Sequence, residues 1–222
     1  MTISKEDTNL KVEAQPIGFF ETPIAYGRLK NGEELLTELE IDIRQNQKQN
    51  GGLTRSNIRS WHSRTDMMQW GGDAAKKLAE SAVNIAKRMS HFLESDVDRY
   101  EWTVSMWANV MPKEGLNHMH VHPGNLWAAV LYIDMGEQPD RNDEVGGAFY
   151  IEDPRFPMAA MHNTGFRMND SNGDPQQYQV EFNLQRGNLI VFPAWLRHGV
   201  RPYHGNRERI SIALNIDAQL KD

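Results

Sequence analysis

The spacing of apolar residues changes near Tyr100, and this change limits the possible folds more than any other feature of the sequence. Before Tyr100, apolar residues recur at helical spacing in two stretches, one ending near Gln49 and one beginning near Asp73, which can cap the second helix. After Tyr100, apolar residues alternate with others or form short runs, which is typical of β-strands. Helices followed by many short strands predict a mainly β protein with N-terminal helices.

The strand-like segments of the second half are separated by clusters of Gly, Pro, Asn and Asp. Such a series predicts an all-β sandwich or barrel supported by the N-terminal helices. A further strand is expected early in the chain, within 17–29, where Pro23 interrupts or edges it. The predicted strands of the second half are 102–110, 126–133, 148–151, 178–182, 189–192 and 210–216.

The length of 222 residues suits one domain. Within a single domain over 1–222 we expect a flexible tail at 1–15, a strand with supporting helices at 16–99 and the β core at 100–222. The β core contains one long segment, 153–177, that is rich in Asn, Asp, Gly and Pro. Loops of this length are often lids or interface elements.

The composition excludes several classes of function. The sequence has no cysteine, so disulfide frameworks, thiolate metal sites and Cys nucleophiles are excluded. The formal net charge of −6 argues against a nucleic-acid or anionic-membrane partner, which would require a basic face. The first 15 residues lack the apolar core of a signal peptide, and no apolar run reaches membrane length. We therefore expect a cytoplasmic protein with neither a nucleic-acid nor a membrane partner.

Three histidines lie within five residues, at His118, His120 and His122. On a strand, residues two apart point to the same side, so these imidazoles can share one face, and neighbouring ones can chelate a metal. A further ligand must come from elsewhere, and His198 is the candidate because it follows a strand-like run and a proline. We predict that His120, His122 and His198 bind one metal ion, with His118 behind them or facing the same cavity. Imidazole binds Fe, Zn, Cu or Ni, so the ligand type does not choose the metal.

The other four histidines have no such partners nearby in sequence and are expected to be structural or solvated. They are His62, His91, His162 and His204.

Arg209 stands at the head of an otherwise apolar strand, eleven positions after His198. The interval contains Pro202 and Gly205 and can form a hairpin, which would bring Arg209 alongside the metal-bearing strand. A guanidinium at that depth can bind a carboxylate through two parallel hydrogen bonds. We expect the adjacent Arg207 to lie on the surface.

At these residues the sequence resembles the 2-oxoglutarate- and Fe(II)-dependent oxygenase superfamily, and in particular a prolyl-hydroxylase-like subgroup of bacterial and phage proteins. The superfamily pattern is His-x-Asp/Glu, a distal His, and an Arg about ten residues later. His120 and His122 occupy the first part of the pattern, His198 the distal position and Arg209 the anion-binding position. Tyr132 falls where related enzymes place a hydroxyl against the cosubstrate carboxylate. The resemblance extends with some specificity over 102–216.

The resemblance implies a double-stranded β-helix, or jelly roll, related to the cupins. It also implies an enzyme that binds Fe(II) and uses 2-oxoglutarate as cosubstrate to oxidise a substrate, as a hydroxylase does. One position departs from the pattern, because His122 stands where most members have a carboxylate. Three neutral imidazoles leave the metal with its full charge of +2, which favours a dianionic cosubstrate and alters the electronic properties of the iron.

Two other functions fit parts of the sequence. A cupin-like metalloprotein with a three-histidine site and no 2-oxoglutarate would explain the spacing of Gly187, Pro193 and His198. No glutamate follows His122 at the distance that a cupin requires. The other alternative is a non-catalytic jelly-roll binding module with vestigial histidines.

We expect the substrate to be a small molecule or a peptide. Position alone places Trp107, Asn109, Trp127 and the 153–177 segment near the mouth of the site. Exposed strands and the long segment are compatible with a homodimer.

Overall fold

The structure is a computed structural model, and it describes residue 13 and residues 17–92, 99–137, 145–155 and 165–221. Apart from Glu13, the predicted tail lies outside these residues, as does His162. Three helices precede most of the strands: α1 (Glu33–Gln49), α2 (Met67–Trp70) and α3 (Gly72–Met89). The strands are β1 (Ala25–Arg28), β2 (Asn57–Ile58), β3 (Trp61–His62), β4 (Tyr100–Met111), β5 (Leu116–His120), β6 (Trp127–Asp134), β7 (Phe149–Glu152), β8 (Gln179–Phe182), β9 (Asn188–Pro193), β10 (His198–Val200) and β11 (Arg209–Leu220).

The strands form two antiparallel sheets that pack face to face. The six-stranded sheet has the order β1-β9-β6-β11-β4-β3, and the five-stranded sheet has the order β2-β5-β10-β7-β8. Neighbours in each sheet are distant in sequence, as expected for a jelly roll. The predicted mainly β fold, a double-stranded β-helix with N-terminal helices, is confirmed.

Strand β11 explains why the six-stranded sheet is apolar on one side and mixed on the other. Successive side chains of a strand point to opposite faces. The even-numbered residues of β11 from 210 to 216 face the helices and are buried against them. Its odd-numbered residues point between the two sheets, where Arg209, Ser211, Ala213 and Asn215 line a cavity. One strand therefore contributes both to the main hydrophobic core and to a polar internal surface.

Helices α1 and α3 cover the outer face of the six-stranded sheet. Helix α1 contributes Leu36, Leu39 and Ile43, which are at most 1% exposed. The buried face of α3 consists mostly of alanines, which allow a helix to approach a sheet closely. Burial of this apolar surface is the main force that fixes the sheet against the helices.

The predicted cap of the second helix is wrong. Asp73 makes no capping hydrogen bond and lies within the first turn, where it pairs with Lys76 at 2.9 Å. The helix begins earlier because the Gly71 carbonyl accepts a hydrogen bond from the Ala75 amide. The predicted hairpin between His198 and Arg209 is also wrong, since β10 and β11 belong to different sheets.

The connection between β10 and β11 crosses from one sheet to the other because Tyr203 fixes it. Tyr203 is 1% exposed, and its main-chain N–H donates to the Gly115 carbonyl. Its hydroxyl donates to the Arg207 carbonyl and accepts from the Glu137 amide. The buried ring and these bonds hold the segment away from the path of a two-stranded hairpin.

Candidate metal centre

His120, His122 and His198 come together between the two sheets. His120 ends β5 and is the direct partner of His198, which begins β10. His122 lies two residues beyond β5, where its main-chain N–H donates to the Ala194 carbonyl. One ring nitrogen from each histidine lies within 4.8 Å of the others. The grouping therefore depends on the pairing of β5 with β10.

The outer ring nitrogen of each histidine is bonded to an oxygen. Nδ1 of His120 is 2.7 Å from the His118 carbonyl, and Nδ1 of His198 is 2.8 Å from the Leu196 carbonyl. Nδ1 of His122 is 2.6 Å from Oδ1 of Asn215. A carbonyl oxygen can only accept, so each Nδ1 donates and each Nε2 keeps its lone pair. Such bonds fix the tautomer and orientation of metal-binding histidines.

The spacing of the inner nitrogens suits adjacent ligands of one metal ion. Nε2 of His122 is 3.0 Å from Nε2 of His198. Two nitrogens bound at about 2.1 Å and at right angles are separated by about 3.0 Å. Two lone pairs at this distance repel each other unless a cation lies between them. The donor set therefore fits a divalent metal.

Burial keeps these rings neutral, as metal binding requires. Desolvation, followed by the neighbouring His120, lowers the pKa of His198 to about 3. The same causes lower the pKa of His122 to about 4, although the bond to Asn215 opposes the shift. Desolvation also lowers the pKa of His120. At neutral pH no proton must leave these rings before a metal can bind.

A column of stacked rings supports His122. The Trp107 ring lies against His122, with ring centroids 5.7 Å apart and planes at 25°. His62 stacks on the same Trp107 ring, with centroids 5.5 Å apart and planes at 12°. His62 is 5% exposed, and its Nδ1 is 2.6 Å from the Ser63 carbonyl. Sequence reasoning placed His62 outside the site, but it lines the same cavity.

Arg209 projects into the cavity from the opposite sheet. It is 6% exposed, and its guanidinium approaches the sulfur of Met111 at 3.7 Å and the ring of Tyr203 at 5.6 Å. No carboxylate pairs with Arg209 among the residues that the structure describes. Desolvation lowers its pKa, but an arginine stays charged inside a protein. A buried cation without an acidic partner requires an anion to stabilise it.

Tyr132 lies on the strand beside Arg209's strand, and its ring faces the same cavity. It is 3% exposed, and its direct strand partner is Ser211. Burial raises the pKa of the Tyr132 phenol, while the charge of Arg209 partly opposes this shift. The phenol is therefore a neutral group that can donate a hydrogen bond next to the guanidinium. Arg207, in contrast, is exposed and pairs with Asp134, as expected of a surface residue.

The histidines and Arg209 share one cavity of about 440 Å³ between the sheets. Apolar side chains also line this cavity. These include Val130, Phe149 and Val200. Arg55, Ser56 and Asn117 line another part of its wall.

The sequence predictions for the mouth of the site are correct in part. Trp107 and Asn109 line the cavity. Trp127 does not, because it points toward the helices, where its Nε1 donates to Ser90 Oγ at 2.9 Å. The described parts of 153–177 line a different depression together with residues 17–22, so they form no lid over the histidines.

The remaining histidines with predictions lie outside the cluster. The His118 side chain is exposed, and only its carbonyl supports His120. His91 is exposed, and His204 pairs with Glu114 at 3.0 Å. Besides His62, sequence reasoning missed Asn215, which bonds to His122. The sequence feature that could have identified Asn215 is its polar side chain on the same face of β11 as Arg209.

Comparison with known proteins gives a match to a protein family. Residues 105–215, half of the chain, match a protein-family model described as "Putative 2OG-Fe(II) oxygenase". The search of curated proteins finds no match. None of the helices in the described part of the chain has the length and apolar character of a membrane span.

Several solved structures have the same fold at low sequence identity. A Pseudomonas putida prolyl-4-hydroxylase is 16% identical, with 88% of this chain and 92% of that chain covered and a TM-score of 0.60. A Trichoplax adhaerens prolyl hydroxylase, solved with a hypoxia inducible factor peptide fragment, is 15% identical, with 87% and 83% covered and a TM-score of 0.58. HygX from Streptomyces hygroscopicus, solved with nickel and 2-oxoglutarate, is 13% identical, with 88% and 83% covered and a TM-score of 0.56.

Proposed function

We propose specific roles for the cavity residues of this chain, which belongs to the 2OG-Fe(II) oxygenase family. His120, His122 and His198 hold Fe(II) through their Nε2 atoms. Arg209 binds the distal carboxylate of 2-oxoglutarate, and the Tyr132 hydroxyl donates a hydrogen bond to the same group. The protein is thus an oxidoreductase that uses 2-oxoglutarate as cosubstrate.

The observation that carries this proposal is the buried charge of Arg209. It lines the same cavity as three imidazoles whose lone pairs converge, and no acidic side chain of the described residues pairs with it. A dianionic cosubstrate can bind the metal at one end and neutralise the guanidinium at the other. A cupin-like site without 2-oxoglutarate would leave this buried cation without a role and is therefore not favoured.

When bound, Fe(II) supplies the oxidation chemistry, in which O2 is consumed and 2-oxoglutarate is converted to succinate and CO2. The chain itself contributes geometry and electrostatics. His118, Leu196 and Asn215 oxygens orient the three imidazoles, and Arg209 orients the cosubstrate. Phe149 and Val200 help to exclude water from the space between the three imidazoles and Arg209.

The direct test is succinate release by the purified protein in the presence of Fe(II), O2 and 2-oxoglutarate. We expect slow release without the true substrate. Calorimetry with the Mn(II)-loaded protein measures 2-oxoglutarate binding independently of turnover. Absence of 2-oxoglutarate binding in that experiment would favour the cupin-like alternative.

The substrate class, a small molecule or a peptide, is part of the proposal, and the peptide fragment in the Trichoplax adhaerens structure supports the second of these. The single domain, the cytoplasmic location and the homodimer stay predictions of the sequence. Light scattering on the purified protein tests the homodimer.

A further inference from the structure

Arg55 adds a second guanidinium to the wall of the cavity that holds the three imidazoles. Arg55 is exposed, so it lies where the cavity opens to solvent, whereas Arg209 lies in the buried interior. Desolvation is the main cause that lowers the pKa of His62, and the Arg55 charge adds to it, so the guanidinium lies near the His62 ring. That ring lines the same cavity. Arg55 is therefore a charged group at the entrance of the candidate metal centre.

A buried asparagine fixes the loop that carries Arg55. Oδ1 of Asn57 accepts from the Arg55 main-chain N–H at 2.7 Å, and its Nδ2 donates to two carbonyls of the same loop at 3.2 and 2.7 Å. The Ser56 carbonyl accepts from the His118 N–H at 2.9 Å, on the strand that ends at His120. The loop is thus held against the metal-binding strand, and the Arg55 backbone need not be ordered when a ligand binds.

Arg55 has no acidic partner among the residues that the structure describes. The segment around it, 53–65, contains three arginines and no acidic residue. This segment is a local basic region in a chain whose formal net charge is −6. The positive charge of Arg55 is therefore available to a ligand at the cavity entrance.

The charges of the loaded cavity indicate what a further ligand must carry. Three of the lining residues are charged, Arg55, Asp134 and Arg209, and Asp134 is already paired with Arg207. Since the three imidazoles are neutral, the two charges of a bound divalent metal are offset only by those of the dianionic cosubstrate. Two guanidinium charges then remain without compensation, and a carboxylate in place of His122 would have removed one of these positive charges. This field attracts an anion and repels a cation.

We propose that Arg55 binds an oxyanion of the substrate, a carboxylate or a phosphate, at the entrance of the cavity, so that the oxygenase acts on an anionic substrate. A guanidinium binds either group through two parallel hydrogen bonds. This inference rests on the proposed function, because that function assigns Arg209 to the cosubstrate and leaves Arg55 for the substrate. Arg55 is then a specificity-determining residue that orients the substrate relative to the three imidazoles.

A binding comparison tests whether the entrance selects an anion. The protein is loaded with Mn(II) and saturating 2-oxoglutarate without O2, and the paramagnetic relaxation of probe protons reports binding near the metal. Benzoate and benzamide have similar shapes and differ in charge, and phenyl phosphate carries the alternative oxyanion. The wild-type protein should bind benzoate or phenyl phosphate about tenfold more tightly than benzamide, and added salt should weaken only the anions. The tighter of the two anions identifies the kind of oxyanion.

Substitution of Arg55 tests whether this residue is responsible. Arg55→Met should weaken the binding of the tighter anion by about tenfold, the low end for a hydrogen bond to a charged group because Arg55 is exposed. Benzamide binding, 2-oxoglutarate affinity and the thermal midpoint should not change. Arg64→Met is the matched control, because Arg64 is an exposed arginine of the same segment that does not line the cavity. Arg55→Lys keeps the charge without the planar fork and should restore part of the affinity.

Three results overturn the proposal. The first is that the wild-type protein binds neither anion more tightly than benzamide. The second is that Arg55→Met and Arg64→Met change anion binding equally. The third is a loss of 2-oxoglutarate binding in Arg55→Met, which would place Arg55 in the cosubstrate site.

Failure of the wild-type protein to bind 2-oxoglutarate would instead contradict the proposed function. Arg55→Met and Arg209→Met would then be compared with Mn(II) alone. A loss of benzoate or phenyl phosphate binding in Arg55→Met would still support an anion site at the entrance, and a loss limited to Arg209→Met would exclude it.

Discussion

The two polar ends of the cavity differ in what their own residues provide. At the histidine end, every Nδ1 is already bonded to an oxygen, and three lone pairs face inward. At the arginine end, a full positive charge is buried beside a sulfur and a phenol ring, without an acidic partner among the described residues. The first end requires a cation and the second an anion. The difference shows how one cavity can select two ligands of opposite charge. Substitutions at the histidine end or at the arginine end can test it.

Removal of two histidines should have the largest effect. His120→Ala combined with His198→Ala leaves His122 as the last imidazole of the cluster. We expect the affinity for Mn(II) or Fe(II) to fall by more than about 100-fold, which is the upper end of the effect of losing only an outer partner. Calorimetric titration measures this loss. Full metal occupancy in the double variant would show that the histidine end is not the metal site.

Removal of the buried positive charge of Arg209 should weaken cosubstrate binding at the arginine end of the cavity. Arg209→Met keeps much of the side-chain volume and removes the guanidinium. We expect 2-oxoglutarate affinity to fall by more than about 100-fold, because loss of one partner of a buried ion pair costs about 3–5 kcal/mol. Without ligand, the same variant should unfold at a higher temperature, since an unpaired buried cation has been replaced by an apolar group.

Arg207→Met is the control for Arg209→Met. Arg207 is exposed and pairs with Asp134, so its loss should change 2-oxoglutarate affinity little. Equal effects of the two substitutions on cosubstrate binding would mean that the anion-binding arginine has been assigned wrongly.

Asn215 tests whether the orientation of His122 matters at the histidine end. Asn215→Leu removes the oxygen that accepts from His122 Nδ1 at 2.6 Å. Loss of such an outer partner should lower metal affinity by about 10- to 100-fold. Asn215→Asp keeps an acceptor and should restore most of that affinity. Similar metal affinities for the Leu variant and the wild-type protein would show that the ring stack with Trp107 is sufficient to hold His122.

The parts of this comparison that could be predicted from the sequence are those that depend on local alternation. The spacing of His120 and His122 and the polar head of β11 were visible because each pattern lies within a few consecutive residues, although His122 itself lies beyond the end of β5. The hairpin to Arg209 was wrong because sheet membership depends on pairing between distant segments. The segment before β11 crosses to the other sheet when Tyr203 is buried.

Short strands and the side that each residue faces explain the other errors. His62 belongs to a strand of two residues, which is too short to give a periodic signal. Trp127 could have been excluded, since it differs in parity from Tyr132 on the same strand and must face the opposite side. The same rule would have included Asn215, which has the parity of Arg209.

His122→Asp should have the smallest effect of these substitutions. It tests the difference between the two ends of the cavity because it changes the charge of the histidine end. An aspartate there adds a negative charge and loses the donor to Asn215, whose carboxamide can rotate to donate instead. We expect metal binding and succinate release to persist, with 2-oxoglutarate affinity lowered by about tenfold, or about 1.4 kcal/mol, because the metal end attracts a dianion less strongly. Succinate assays at several 2-oxoglutarate concentrations separate affinity from turnover. Loss of turnover at saturating 2-oxoglutarate would mean that the chemistry itself requires three neutral ligands.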